Sequence, residues 1–205
     1  ETVESFTDES LRHYFGSAYV APNVVISAAG NIEHAAVRDL VSRAFASLPP
    51  SGEPTLEDAP AVVPQIITRT KELEQSHLCL GTTSYPQSHD DRFASYVLNT
   101  VFGGSMSSRL FQNIREKRGL AYAVFSGLTA YRDAGMLTVY AGCAAESVGE
   151  VVDLVVEEMR AMKREPITGA ELRRSKDHLK GSLMLSLEST SARMTHLARQ
   201  DIYFD

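Results

Sequence analysis

Proline is concentrated at one place in this sequence. Five of its eight prolines, Pro49, Pro50, Pro54, Pro60 and Pro64, fall between residues 49 and 64. Proline locks φ and carries no amide proton, which bars the stretch from helix interiors and central strands. Ser51, Gly52, Glu53, Glu57 and Asp58 fill the gaps. Residues 49–64 are therefore predicted to be an extended linker between two packed units, 1–48 and 65–205.

The chain has 205 residues, enough for one large domain or two modest ones. Hydrophobic residues make up 43% and charged residues 22%, close to the globular average, which excludes a disordered or fibrous chain. Apolar runs such as Val24-Val25-Ile26 are far too short to span a bilayer. A net charge of −6 argues against nucleic acid as the main partner. Cys79 and Cys143 are too few for a disulfide framework and too far apart for a cysteine zinc site. Two buried free thiols in a reducing compartment are expected, which points to the cytoplasm, or to the mitochondrial matrix in a eukaryote. Glu1-Thr2-Val3 and Ile202-Tyr203-Phe204-Asp205 both read as cut ends, so a fragment is expected.

Thr7-Asp8-Glu9 reads as a helix start, and Asn23–Gly30 as a buried strand. Val37, Leu40, Val41, Ala44, Phe45 and Leu48 form one helical stripe. Past the linker, a strand is predicted over 77–83 and a helix over 89–102 that ends at Gly103-Gly104 in the left-handed conformation. Ser107-Ser108 then caps a short helix stopped at Gly119. Strands over 121–131 and 136–143 flank a hairpin loop, Arg132–Gly135. An amphipathic helix follows from Val148, and another opens at Thr168 and breaks near Ser189-Thr190-Ser191.

The six histidines show no i, i+4 pair and no His-x-x-Glu-His, so no zinc site is expected within these residues. Gly103-Gly104-Ser105 lacks the surroundings of a nucleophile elbow or a phosphate loop. Arg115 and Tyr122 are more informative, because one ends a helix and the other opens the next strand. Chain reversal at Gly119 brings their side chains toward one point, where a guanidinium fork and a phenol can hold a peptide carbonyl or an oxyanion. On pattern alone a structural role competes strongly, with Tyr122 sharing the face of Val124 and the run Arg115-Glu116-Lys117-Arg118 opposing a helix dipole.

The run from Gly103-Gly104-Ser105-Met106 through Arg115-Glu116-Lys117-Arg118-Gly119-Leu120-Ala121-Tyr122 resembles the second domain of the pitrilysin/insulysin family of inverted-motif zinc peptidases. The nearest branch is the bacterial proteins similar to mitochondrial processing peptidase. Tyr131–Gly135, Leu183–Ser191, Arg199-Gln200 and Leu73–His77 extend the match, and residues 4–48 resemble the close of the family's first domain.

The resemblance implies an α+β fold: two similar domains of helices packed on a mostly antiparallel sheet, the first one truncated here. It implies zinc in the full-length protein, bound by a His-x-x-Glu-His helix upstream of residue 1. It reverses the odds on Arg115 and Tyr122, making them the pair that reaches substrate near the zinc of a facing half. The implied activity is a zinc metalloendopeptidase for extended or unfolded peptides, with this fragment inactive alone. The implied partners are a peptide substrate and a second peptidase-like subunit, in a homodimer or a heterodimer. A catalytically silent partner subunit and a scaffold like the core subunits of the bc1 complex stay open as alternatives.

Overall fold

Three segments form strands, β1 (Ser76–Ser84), β2 (Ala121–Ala130) and β3 (Gly135–Cys143), and in β3 the alternate residues Leu137, Val139, Ala141 and Cys143 are apolar. The strands pair antiparallel in the order β1-β3-β2. Tyr131 N donates to Ala134 O at 2.7 Å and closes the β2–β3 hairpin. The helices are α1 (Asp8–Ala18), α2 (His34–Ala44), α3 (Arg92–Phe102), α4 (Val148–Arg164), α5 (Gly169–Ser186) and α6 (Thr190–Phe204). This is a computed structural model that describes residues 2–52 and 58–204. The part of the expected linker holding Glu53, Pro54 and Glu57 lies outside the described residues; Pro60 and Pro64 sit in irregular chain.

Two compact units result, one formed by Glu1–Asp58 with Leu185–Asp205 and the other by Ala59–Met184. The second holds the sheet and the core. Val124, Val139 and Ala141 from the sheet meet Phe102 of α3, Leu110, Ile114, and Val151, Leu154 and Val155 of α4. Full burial of a side chain of this size contributes about 1.5–3 kcal/mol, so this cluster is the main stabilising feature of the unit. The helical stripe read from Val148 onward is the face of α4 that the core uses. The class read from the sequence stands: α+β, with helices packed on a small antiparallel sheet.

In the first unit, Thr7 caps α1 by a reciprocal pair of bonds with Ser10, at 2.9 and 3.1 Å. Ser27 Oγ donates to Met194 O of α6 at 2.8 Å. Residues 24–29 depart from the expectation of a buried strand, since no described strand pairs with them and Val25 and Ile26 are exposed. A β-branched run supplies the propensity for a strand but not the partner whose hydrogen bonds make one.

Two further expectations need correction. Gly103 ends α3 with φ −151° and ψ 3°, outside the left-handed region. Its requirement is steric, because a Cβ there would stand 2.6 Å from Ser126 N of β2. Ser126 N donates to Gly103 O at 3.0 Å, and Ser126 Oγ to Asn99 Oδ1 at 2.7 Å, which docks the end of α3 on the sheet. The cysteines also divide: Cys143 is buried and free, while Cys79 is free but exposed. Leu78 and Leu80 take the core face of β1, so alternation turns Cys79 to the opposite face.

Candidate functional site

Leu110 and Ile114 are fully buried, and their i, i+4 spacing fixes which face of the segment after α3 meets the core. Phe111 and Arg115 share that spacing one position on, so both flank the buried edge. The segment Phe111–Glu116 is a widened π-helical turn rather than the α-helix expected there. Lys117 N bonds to Gln112 O, five residues back, at 3.0 Å. Such single widened turns recur at functional sites. The chain then leaves through Gly119, whose φ of +64° favours glycine. Gly119 N donates to Arg115 O at 3.1 Å, and Leu120 N to Ile114 O at 3.0 Å.

β2 begins with an irregularity of its own. Ala121 faces Cys143 and Ala123 faces Gly142, so two steps on β2 match one on β3 and Tyr122 is the extra residue of a β-bulge. Strict alternation would place Tyr122 with Val124 against the core. The bulge turns it out instead: Val124 is 3% exposed and Tyr122 75%. The sequence expectation that these two residues share a face is overturned by that one inserted position.

The widened turn and the bulge bring the two predicted residues side by side. The Arg115 guanidinium carbon lies 5.9 Å from the centre of the Tyr122 ring and 4.8 Å from that of Phe111. Among the described residues, neither the Arg115 guanidinium nor the Tyr122 hydroxyl has a hydrogen-bond or ion-pair partner. The neighbouring cations do have partners. Arg109 forms a two-bond ion pair with Glu171 at 2.8 and 3.1 Å. Lys117 Nζ donates to Asn113 Oδ1 at 3.0 Å, and Arg118 sits 3.6 Å from Glu150. Arg115 is thus the cation of this segment left with its donors open.

Glu171 has a second task that the sequence reading missed. It accepts from Thr168 N at 2.8 Å and from Thr168 Oγ1 at 2.9 Å, which closes the start of α5. The Arg109 bond above all, helped by Thr168 and opposed by burial, holds the Glu171 carboxyl at about 2. Asn113 Nδ2 donates to Glu158 Oε1 of α4. Arg109 and Asn113 therefore tie the segment carrying Arg115 to α5 and α4, as a rigid support for a polar site requires. The pattern Thr168-x-x-Glu171 was a readable capping signal; the Arg109 partnership, 62 positions apart, was not.

A guanidinium fork beside a phenol offers several hydrogen-bond donors and no acceptor except the phenol oxygen. Such a pair suits carbonyl oxygens or a developing oxyanion. Among the described residues no group of three or more His, Cys, Asp or Glu side chains could hold a metal ion. The residues present therefore do not fit a zinc site. His77 Nδ1 lies 2.8 Å from Tyr140 Oη, an isolated pair rather than a ligand set. No described helix is long and apolar enough to cross a membrane.

The sequence pattern of the peptidase M16 inactive domain matches residues 5–179. An uncharacterized zinc protease of Bacillus subtilis, YmxG, is 44% identical over 202 residues, covering 98% of this chain and 49% of that protein. An uncharacterized zinc protease of Streptomyces coelicolor is 34% identical over 210 residues, covering 98% of this chain and 46% of its own length. The chain spans about half the length of these relatives. Among solved structures, a peptidase M16 inactive domain from Pseudomonas fluorescens superposes with a TM-score of 0.84 at 25% identity, covering 98% of this chain and 48% of that one. A protease from Helicobacter pylori gives a TM-score of 0.82 at 22% identity, over 99% of this chain and 51% of that one, and shows the fold alone. The chain belongs to the peptidase M16 family, as its inactive domain.

Proposed function

We propose that the full-length protein is a cytoplasmic zinc-dependent endopeptidase for extended or unfolded peptides. This chain supplies the substrate-gripping pair Arg115 and Tyr122, and the zinc ligands belong to residues outside it. The zinc protease names of its relatives support the enzyme class. The observation that carries the role of the pair is their adjacency with every polar donor unused, in a segment whose other cations are paired.

An extended peptide presents carbonyl oxygens along its length. The Arg115 fork takes one such oxygen, and the Tyr122 hydroxyl donates to a second or to the same oxygen as its charge grows. Donors aimed at a developing oxyanion lower the barrier most when they are held in place beforehand. The ties of Arg109 to Glu171 and of Asn113 to Glu158 do that holding. The working unit pairs this chain with a second peptidase-like subunit, identical or different.

The test is peptide turnover by the full-length protein carrying Arg115→Ala or Tyr122→Phe, with zinc content measured alongside. Removing one such donor costs about a hundredfold or more in kcat, and zinc content is expected to stay unchanged. Wild-type turnover in both variants removes the assignment. A full-length protein without turnover unless a second, zinc-bearing subunit is added supports the silent-partner reading instead.

A further inference from the structure

Among the described residues no carboxylate holds the Arg115 guanidinium, yet it lies 4.8 Å from the centre of one ring and 5.9 Å from another. A cation over an aromatic face is attracted within about 6 Å, so the nearer ring, Phe111, dominates and Tyr122 sits at the limit. Phe111 is half-buried, and it is not among the residues packed on the hydrophobic core. Its ring is thus in contact with Arg115 rather than committed to the interior. A carboxylate at this place would neutralise the charge and occupy the N–H groups. An aromatic face attracts the cation while leaving the N–H donors, which lie in the guanidinium plane, free for oxygen.

We propose that Phe111 is a positioning residue: its ring holds the Arg115 guanidinium beside Tyr122 with its donors open, in place of an anionic partner. The proposal rests on the reading of Arg115 and Tyr122 as the substrate-gripping pair. The i, i+4 spacing of Phe111 and Arg115 puts both on one side of the turn. The hydrogen bond from Lys117 N to Gln112 O closes the widened turn that carries Arg115.

The experiment uses the full-length protein with isotope-labelled arginine, and compares wild type, Phe111→Leu and Phe111→Tyr by NMR and by peptide turnover. Large ring-current shifts of the Arg115 side chain are expected in wild type and Phe111→Tyr, and in Phe111→Leu they fall to the smaller contribution of Tyr122. Phe111→Leu is expected to lower kcat/KM about two- to fivefold, the size of a partly exposed cation–π contact. Phe111→Tyr restores the rate, and Phe111→Leu costs nothing further when Arg115 is already Ala. Unchanged Arg115 resonances in Phe111→Leu overturn the proposal, as does an equal loss of rate on the Arg115→Ala background. Where Phe111→Leu does not fold, a trifluorinated phenylalanine at 111 keeps the shape and weakens the ring's negative face; the same drop supports the proposal and a full rate overturns it. A wild-type rate in Arg115→Ala, with the resonance shift still reduced in Phe111→Leu, overturns the substrate-gripping role while the ring contact stands.

Discussion

Arg109, Arg115, Lys117 and Arg118 are all cations, and their partners separate their roles. Three are neutralised or tied, and the fourth lies near two rings. Arg109 and Glu171 form the strongest of these contacts, and it carries a pH dependence. The Glu171 carboxyl falls from its ordinary 4.5 to about 2 in the fold. A depressed acid stabilises the fold fully above the ordinary value and loses that contribution as pH drops toward the lowered one. Stability is therefore expected to fall between pH 4.5 and about 2, and Glu171→Gln to flatten that part of the profile while lowering stability at neutral pH. Thermal melts across the window check this; parallel loss in both proteins contradicts it. The two thiols differ at the same scale. Cys79 is expected to react rapidly with a thiol reagent in the native chain, and Cys143 only after unfolding, since burial covers it and raises its pKa. Mass mapping of the labelled cysteine decides. Arg115 and Tyr122 were legible in the sequence as a pair flanking a chain reversal. The partners of Arg109 were not, because an ion pair across 62 positions leaves no local pattern.

Two local departures from regular geometry, one at the end of a helix and one at the start of a strand, aim the candidate site. Periodicity read the stop at Gly119 correctly, and Gly119 indeed takes a positive φ. It could not separate a turn closed four residues back from one closed five back, since both put Phe111 and Arg115 on one side. Nor could alternation announce the bulge, which requires knowing that Ala121 and Ala123 face consecutive residues of β3. The β2–β3 hairpin and the stripe of α4 were readable because their signals are local. The run over 24–29 was misjudged because strand pairing is not local. Gly119→Ala is expected to cost about 1–2 kcal/mol, the penalty of a left-handed residue with a Cβ, and Gly119→Asn less. Gly103→Ala should cost more than Gly119→Ala, because its Cβ meets strand backbone at 2.6 Å rather than open space. Denaturant midpoints rank the three variants; Gly103→Ala at the wild-type midpoint contradicts the steric account of α3 docking.

At the scale of the molecule, the core belongs to one unit. Among the described residues, α1, α2 and α6 bury no side chain, and Leu11, Tyr14, Phe15 and Leu40 stand exposed. The chain spans about half the length of its relatives, and it brings no metal-ligand cluster together among its described residues. The α+β class and the family were both legible from the sequence, the second because the run around Arg115 and Tyr122 is long and specific. The measurement that bears most directly on the role of this chain is steady-state peptide cleavage by the full-length protein, with bound zinc quantified in the same samples. Arg115→Ala and Tyr122→Phe are each expected to lower kcat about a hundredfold or more at unchanged zinc content; wild-type turnover in both, on equally folded protein, contradicts it.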